Sequence, residues 1–387
     1  MAIRKVKDIV LYADDDYYCG PGPAVVVFPD GEMAAVFRRH RSWTKEVLRA
    51  HVHPTTEQCL IRSTDGGETW SSTPRVFMGG GQCAVAGLLK DGTMLFVTHR
   101  QESVPIQQAH LLVDGVTTEV AKMVEADKRA GLIDPADQME TRRRHWPAFS
   151  AGTEIWRSDD RGDSWNGPAW VGEVPDLPPL AEGLHAPVHL RGFPQELSNG
   201  DVVLPVQGRG IGSILAASTD GGNTWHYRGV AAPNQKGEST HAFNEWSVYE
   251  TAAGDLVGFV RSGRPSDEGG GYLWTVRSKD KGFTWSEPKQ EEVWGHPYFA
   301  LRLPSGNVMI VYGYRREPYG IRCRVLDPEC TDPSGADEFV LRDDGGGVDV
   351  GYPHATVMPD GRVFIIYYYH DREGGQRFCA GSIVEAS

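Results

Sequence analysis

Ser63-Thr64-Asp65-Gly66-Gly67-Glu68-Thr69-Trp70 is the first of four copies of one pattern in this 387-residue chain. Ser158-Asp159-Asp160-Arg161-Gly162-Asp163-Ser164-Trp165, Ser218-Thr219-Asp220-Gly221-Gly222-Asn223-Thr224-Trp225 and Ser278-Lys279-Asp280-Lys281-Gly282-Phe283-Thr284-Trp285 repeat it. All four reduce to S-x-D-x-G-x-[ST]-W, and an internal repeat of this kind decides the architecture before any other feature is weighed. Each copy reads as a tight turn between two strands. The Asp carboxylate can bond the turn's own backbone, and Gly can supply a positive φ. The Trp then packs from a rigid turn between neighbouring sheets. In this reading the repeated residues are structural, not catalytic.

The octapeptides resemble the Asp-box of sialidase-type β-propellers, and a second repeat interleaves with them. Apolar strands flank a Gly turn at Pro29-Asp30-Gly31, Lys90-Asp91-Gly92, Ser198-Asn199-Gly200, Ala253-Gly254-Asp255, Ser305-Gly306-Asn307 and Pro359-Asp360-Gly361, six hairpin signatures in all. The glycines are spaced by 61, 108, 54, 52 and 55 residues, enough for a four-stranded blade each. The pattern predicts an all-β fold: a six-bladed β-propeller occupying residues 1–387 as one domain. Asp-boxes close the first four blades, the fifth carries a degenerate one near Asp327–Gly335, and the last has none. Asp8–Tyr12 would complete the final blade and remove the open sheet edges. The long second spacing marks an insertion at about 101–147. Within it, residues 117–132 have helical propensity and i, i+4 charge pairing, so a partly helical insertion is expected, as a lid or as surface decoration.

Composition narrows the function classes. Apolar residues make up 40% and charged residues 24%, as in globular proteins, and a net charge of −13 argues against a nucleic-acid partner. The longest strongly apolar stretch, Val363–Tyr369, is far short of a membrane span, and the first eight residues lack the apolar core of a signal peptide. Six scattered cysteines without a CxxC pair read as reduced thiols of a cytoplasmic protein. No metal is expected, because no histidine pair has HExxH spacing and no Cys/His zinc pattern occurs. No nucleotide cofactor is expected either, since the glycines lie in hairpin turns and not in a strand-to-helix phosphate loop.

Propeller geometry then selects a site. Residues before the first strand and after the second strand of each blade meet at one mouth of the channel, opposite the Asp-boxes. Counting nine residues back from each turn glycine gives Gly22, Cys83, Arg191, Glu245, Pro297 and Tyr352, with His296 and Tyr298 flanking Pro297. The second strands return Arg38, Arg39, His99, Arg100, Arg209, Arg261, Tyr314, Arg315 and His370 to the same mouth. An acidic protein that gathers arginines there is suited to an anion, because the planar guanidinium pairs two-pronged with a carboxylate. Some of these arginines could equally pair with carboxylates across the rim. Glu245 and Tyr352 come from blades close enough to meet, and a carboxylate that accepts the phenolic proton makes Tyr a nucleophile. The structural alternative is a Glu–Tyr hydrogen bond that only joins two blades.

Along all six blades the chain resembles a sialidase-type propeller. In that family a Tyr nucleophile is partnered by a Glu, an Asp serves as acid/base and three arginines clamp the substrate carboxylate. The resemblance implies Tyr352 as nucleophile, Glu245 as its base, and Arg261 with Arg322 or Arg315 as clamp residues. A Tyr nucleophile is the sialidase exception to the usual carboxylate pair. Two positions depart from the family. Gly20-Pro21-Gly22-Pro23 stands where the first clamp Arg belongs, leaving Arg38 or Arg39 as substitutes. Leu48-Arg49-Ala50-His51-Val52-His53-Pro54 stands where the acid/base Asp belongs, leaving His53 or His51. The leading expectation is an exo-acting glycoside hydrolase that releases a terminal acidic sugar from an oligosaccharide. A second is a lyase or rhamnosidase acting on uronate-containing oligosaccharides, with Arg261 neutralising the uronate and His99, His296, His354 or Tyr352 moving protons. A third is a propeller that binds an acidic glycan without turning it over.

Overall fold

The computed structural model describes residues 3–42, 55–103, 148–177, 185–186, 188–190, 192–208, 210–235, 242–263 and 271–386. Twenty-six strands and no helix occur among the described residues, and the strands form six antiparallel sheets. Strand β1 (Ile3–Tyr12) belongs to the last of them. Blade 1 holds β2 (Tyr17–Cys19) and β3 (Ala24–Val27), both paired to β4 (Met33–Arg41), then β5 (Glu57–Ser63) and β6 (Arg75–Gly79). Blade 2 is β7 (Val85–Leu88), β8 (Met94–Ser103), β9 (Ala148–Ser158) and β10 (Asn166–Trp170). Blade 3 pairs β11 (His189–Leu190) and β12 (Gln195–Glu196) with β13 (Val202–Gly208), followed by β14 (Gly212–Ser218) and β15 (His226–Pro233). Blade 4 runs β16 (Ala242–Glu250), β17 (Leu256–Gly263), β18 (Tyr272–Ser278) and β19 (Lys289–Trp294). Blade 5 runs β20 (Tyr298–Arg302), β21 (Val308–Tyr314), β22 (Gly320–Leu326) and β23 (Glu338–Arg342). Blade 6 is β24 (Gly351–Val357), β25 (Val363–Tyr369), β26 (Phe378–Ala386) and finally β1, paired from Ile3↔Ala386 to Tyr12↔Cys379. The chain's first strand thus closes the ring, as the sequence predicts. The helical reading of residues 117–132, and with it the lid, lies outside the described residues.

The six hydrophobic clusters lie between blades, not within them. One joins Val25, Met33 and Phe37 of blade 1 to Phe364, Ile366 and Ile383 of blade 6, and five others do the same around the ring. This explains why the middle strands do not alternate: both faces are covered, so β25 (VFIIYYY) is buried at every position. The outer strands revert to exposure, as in β6.

Every specified position of the octapeptide turn has a contact that explains it. Ser278 Oγ donates to Asp280 Oδ1 at 2.8 Å and accepts from Gly282 N at 2.8 Å. Asp280 accepts from Thr284 N at 2.9 Å and from Thr284 Oγ1 at 2.6 Å. Trp285 Nε1 donates to Gly282 O at 3.0 Å, and its ring packs against the cluster shared with blade 3. Gly282 has φ +97°, and a Cβ there would sit 2.3 Å from Leu215 of the neighbouring blade. The degenerate copy does the same local work, since Asp327 Oδ2 accepts from Thr331 N at 2.9 Å and Thr331 Oγ1 at 2.6 Å.

Candidate active site

A narrow cavity of about 30 Å³ sits on the channel axis, room for roughly one water. Every blade contributes to its wall: Gly22, Cys83, Leu190, Gly192, Glu245, Pro297 and Tyr352 are among the lining residues. Five of the six positions counted back from the turn glycines are in that wall. The sixth, Arg191, lies outside the described residues, although both its neighbours line the cavity.

Glu245 and Tyr352 reach the axis by the same local device. The pairing of β16 with β17 is irregular between Phe243 and Trp246, and that of β24 with β25 between Gly351 and His354. Such bulges bend an inner strand and re-aim a side chain. At Tyr352 the backbone also takes φ 50°, a left-handed conformation that a bulky residue seldom adopts and that is more often retained at functional sites. The two side chains meet there. Tyr352 hydroxyl donates to Glu245 Oε1, and Arg261 Nη1 donates to Glu245 Oε2. Burial, with the Glu245 charge adding to it, pushes the Tyr352 phenol above its ordinary value, so it is protonated at neutral pH. Glu245 is buried, while Arg261 and Tyr352 retain partial exposure.

Two arginines, Arg261 and Arg315, face this pair, and a third, Arg38, lies nearby among Cys83, Tyr18, Tyr368 and Asp349; all three come from the far ends of second strands. Arg261 is on β17. Arg315 follows β21, donates from Nε to Val350 O at 3.0 Å and from Nη2 to Tyr368 Oη at 3.1 Å, and lies 5.4 Å from the centre of the Tyr352 ring. Arg38 on β4 is fully buried, and a Cβ at Gly20 would lie 2.1 Å from its Nε. Gly20, in the segment where the resemblance expects the first clamp arginine, is therefore what admits the Arg38 guanidinium, which interacts electrostatically with Cys83, Tyr18, Tyr368 and Asp349. Arg39 turns the other way, donating to Glu57 at 2.8 Å and to Tyr12 hydroxyl at 2.6 Å.

The structure separates the remaining expected residues. Arg322, which the resemblance offers ahead of Arg315, sits on β22, one strand farther from the axis. It pairs with Glu338 and stacks 3.4 Å from the Tyr314 ring centre. Blade 5 thus presents Arg315 at the mouth and Arg322 to its own outer strand. His296 is buried within the field of Arg261, Arg315 and Glu245; burial and the two positive charges hold its imidazole well below the ordinary range, so it is neutral. His99 is buried and stacked on His189 at 4.2 Å, between blades 2 and 3. His354 belongs elsewhere: it lines a larger cavity of about 540 Å³ together with Phe193, Phe299, Tyr249 and Arg302. Its Nδ1 accepts from Val25 N at 3.3 Å, and its ring lies 4.5 Å from that of Phe193 and 4.4 Å from that of Phe299. His53 and His51 lie outside the described residues. Among the described residues no group of three or more His, Cys, Asp or Glu could hold a metal ion.

Sequence reasoning missed a second layer. Asp349 accepts from Tyr368 hydroxyl at 2.5 Å and Tyr18 hydroxyl at 2.9 Å, and ion-pairs with Arg377 at 3.2 Å. The available signal was Asp349-Val350-Gly351 directly before Tyr352, together with an unusual Tyr367-Tyr368-Tyr369 run whose middle member meets Arg315 and lies 5.9 Å from the Tyr352 ring.

The profile of the BNR repeat-like domain matches residues 138–365, more than half of the chain. The protein belongs to the BNR repeat-like family. No curated protein matches this BNR repeat-like chain. Among solved structures, a protein of unknown function from Dyadobacter fermentans is 32% identical, with a TM-score of 0.81 over 100% of this chain and 99% of that one. The intramolecular trans-sialidase of Ruminococcus gnavus, solved with oseltamivir carboxylate, is 13% identical with a TM-score of 0.61 over 95% of this chain and 94% of that one. The alpha-L-arabinofuranosidase Arb93A of Fusarium graminearum, solved with an iminosugar inhibitor, is 12% identical with a TM-score of 0.57 over 98% and 97%. The last two share the fold of this BNR repeat-like protein; their low identity leaves substrate to be argued from the site.

Proposed function

We propose that this protein is an exo-acting glycoside hydrolase of the sialidase kind, releasing a terminal acidic sugar from an oligosaccharide. The observation that carries the reading is the Tyr352–Glu245 hydrogen bond at the axis, with Arg261 and Arg315 against it. The phenol is protonated at rest, so attack requires its proton to leave as it bonds, and Glu245 is already the acceptor. The Tyr oxygen bonds to the anomeric carbon while the glycosidic C–O bond breaks, and the departing oxygen takes a proton from a general acid. Water then reverses the sequence, displacing Tyr352, which recovers its proton. His53 is our proposal for the general acid, with His51 as the alternative. A neutral phenol nucleophile suits a substrate that carries its own negative charge, because a tyrosinate would repel it. The substrate carboxylate would bind the guanidinium groups of Arg38, Arg261 and Arg315. Structural neighbours that are sialidases and an arabinofuranosidase support glycoside hydrolysis as the reaction class.

One observation favours a second reading. His296 is a neutral imidazole in the field of two arginines, and such a base could take the acidic proton next to a uronate carboxylate that Arg261 and Arg315 neutralise. Elimination would then break the C–O bond on the adjacent carbon and leave an unsaturated sugar. Mass spectrometry of products from a panel of acidic oligosaccharides separates the two. Cleavage with gain of one water, lost in Tyr352→Phe, is the expected result. An unsaturated product without added water overturns the hydrolase reading in favour of the lyase.

A further inference from the structure

Arg315 has two anchors of different kinds. Its Nε donates to the Val350 carbonyl at 3.0 Å, and its Nη2 donates to the Tyr368 hydroxyl at 3.1 Å. The first anchor alone leaves the guanidinium free to swing about Nε; the second fixes its plane. Tyr368 is itself fully buried and donates its one hydroxyl hydrogen to Asp349 Oδ1 at 2.5 Å. A phenol has a single hydrogen to give, so committing it to Asp349 turns the oxygen lone pairs toward Arg315. Burial keeps that phenol protonated far above neutral pH, which keeps the direction of donation constant. Asp349 is fixed in turn by Tyr18 hydroxyl at 2.9 Å and by Arg377 Nε at 3.2 Å. The chain Arg315–Tyr368–Asp349–Tyr18 therefore ties blades 5, 6 and 1 together behind the mouth.

We infer that Tyr368, held by Asp349, is the positioning residue that aims the Arg315 guanidinium at the carboxylate of an acidic sugar. This rests on the reading above that Arg315 binds that carboxylate. Neither Tyr368 nor Asp349 lines the axial cavity, so they act through Arg315 and not on substrate. A uniform loss of stability would not alter a preference between two ligands that differ only in charge; loss of aim would.

The test is isothermal titration calorimetry with N-acetylneuraminic acid and glucuronic acid, each beside its methyl ester, on the full chain. The wild type is expected to favour acid over ester. Tyr368→Phe should cut that ratio about tenfold, the scale of one hydrogen bond to a charged group, while leaving ester affinity in place. Asp349→Asn should move the ratio in the same direction by weakening the acceptor that holds Tyr368. Tyr367→Phe removes an equally buried hydroxyl from the same strand, one bonded to Ser382 Oγ at 2.7 Å and outside this chain of contacts, and should keep the wild-type ratio. If Tyr368→Phe keeps the wild-type ratio, or if Tyr367→Phe lowers it equally, the positioning role is overturned while the acidic-sugar reading stands. A wild type that binds acid and ester alike, or binds none of these probes, overturns that reading and the positioning role with it.

Discussion

The turn at Asp280 and the mouth at Glu245 each rest on one carboxylate that accepts two or more hydrogen bonds, yet they are built in opposite ways. Asp280 takes its partners from Ser278 and Thr284, within four residues on either side. Those bonds lower its carboxyl to about 2, the Thr284 hydroxyl contributing most. Glu245 takes its partners from Arg261, sixteen residues away, and from Tyr352, 107 residues away on another blade. The turn is complete in eight residues and recurs wherever those residues recur. The mouth exists only after six blades have closed and two inner strands have bulged in register. A motif solved locally is a scaffold; a constellation assembled once, with a strained Tyr at its centre, is where chemistry is expected.

The largest effect should come from the residue that separates the two regions most sharply. Tyr352→Phe keeps the ring and removes the hydroxyl, so melting should change little while kcat falls on the order of a thousandfold or more, as for removal of a nucleophile. Steady-state kinetics beside thermal melting on the same preparation is the measurement. Retained activity would make the mouth as purely structural as the turn. Next in size is the contrast within blade 5. Arg315→Lys should raise KM for an acidic substrate roughly tenfold, because an ammonium cannot reproduce the two anchored guanidinium contacts. Arg322→Lys, which alters a pair with Glu338 in the outer strands, should change KM less than about twofold. The reverse order would move the clamp from the end of β21 to β22.

How much was legible follows from the same contrast. The octapeptide turns, the hairpin glycines and the closure of the last blade by the first strand are local or periodic, and each could be read from spacing. Counting back from the glycines located Glu245 and Tyr352 because strand length fixes how far a residue stands from its turn. The count along the second strands reached Arg315, whereas the family resemblance put Arg322 ahead of it; which of them faces the mouth depends on the strand of blade 5 each occupies. Counting fails where the strand is irregular. It could not see that His354, two residues beyond Tyr352, falls past the bulge and lines the other cavity. Arg38 was legible among the residues that the second strands return to the mouth; that Gly20 opens the space for its guanidinium required the packed structure. Tyr368 and Asp349 carried no repeat and no family motif; their only marks were a run of three tyrosines and a place just before Tyr352.

His354 gives a smaller, pH-dependent effect that sharpens the picture of the channel. Burial between Phe193 and Phe299 drops its imidazole to about 3, against about 6.5 in the unfolded chain. Between those values the unfolded state binds a proton that the folded state refuses. The contribution is therefore complete above pH 6.5 and is lost progressively as pH falls toward 3. His354→Gln retains an acceptor for Val25 N and cannot titrate. Denaturant unfolding from pH 7 to pH 4 should show a shallower decline in the variant, by at most about 1.4 kcal/mol per pH unit. An unchanged slope would mean that the His354 imidazole is charged or solvated in the folded protein.

The smallest effect belongs to the turn itself. Asp280→Ala removes the carboxylate that gathers Ser278 and Thr284 but leaves Trp285 seated on Gly282 O and against blade 3. One exposed, locally satisfied group is worth about 1 kcal/mol, so the melting temperature should drop by roughly 2 °C. Because the folded carboxyl is held at about 2 and the unfolded one lies near 3.9, its contribution is present above pH 4 and fades as pH falls from 4 to 2. The difference between wild type and variant should narrow over that lower window, below most of the span in which His354 acts. Activity per folded molecule should be unaffected, since the turn lies between the third and fourth strands of its blade, at the opposite end from the mouth. A loss of activity out of proportion to the loss of stability would show that the turns transmit strain to the inner strands, and the separation between scaffold and site would fail at its most conservative point.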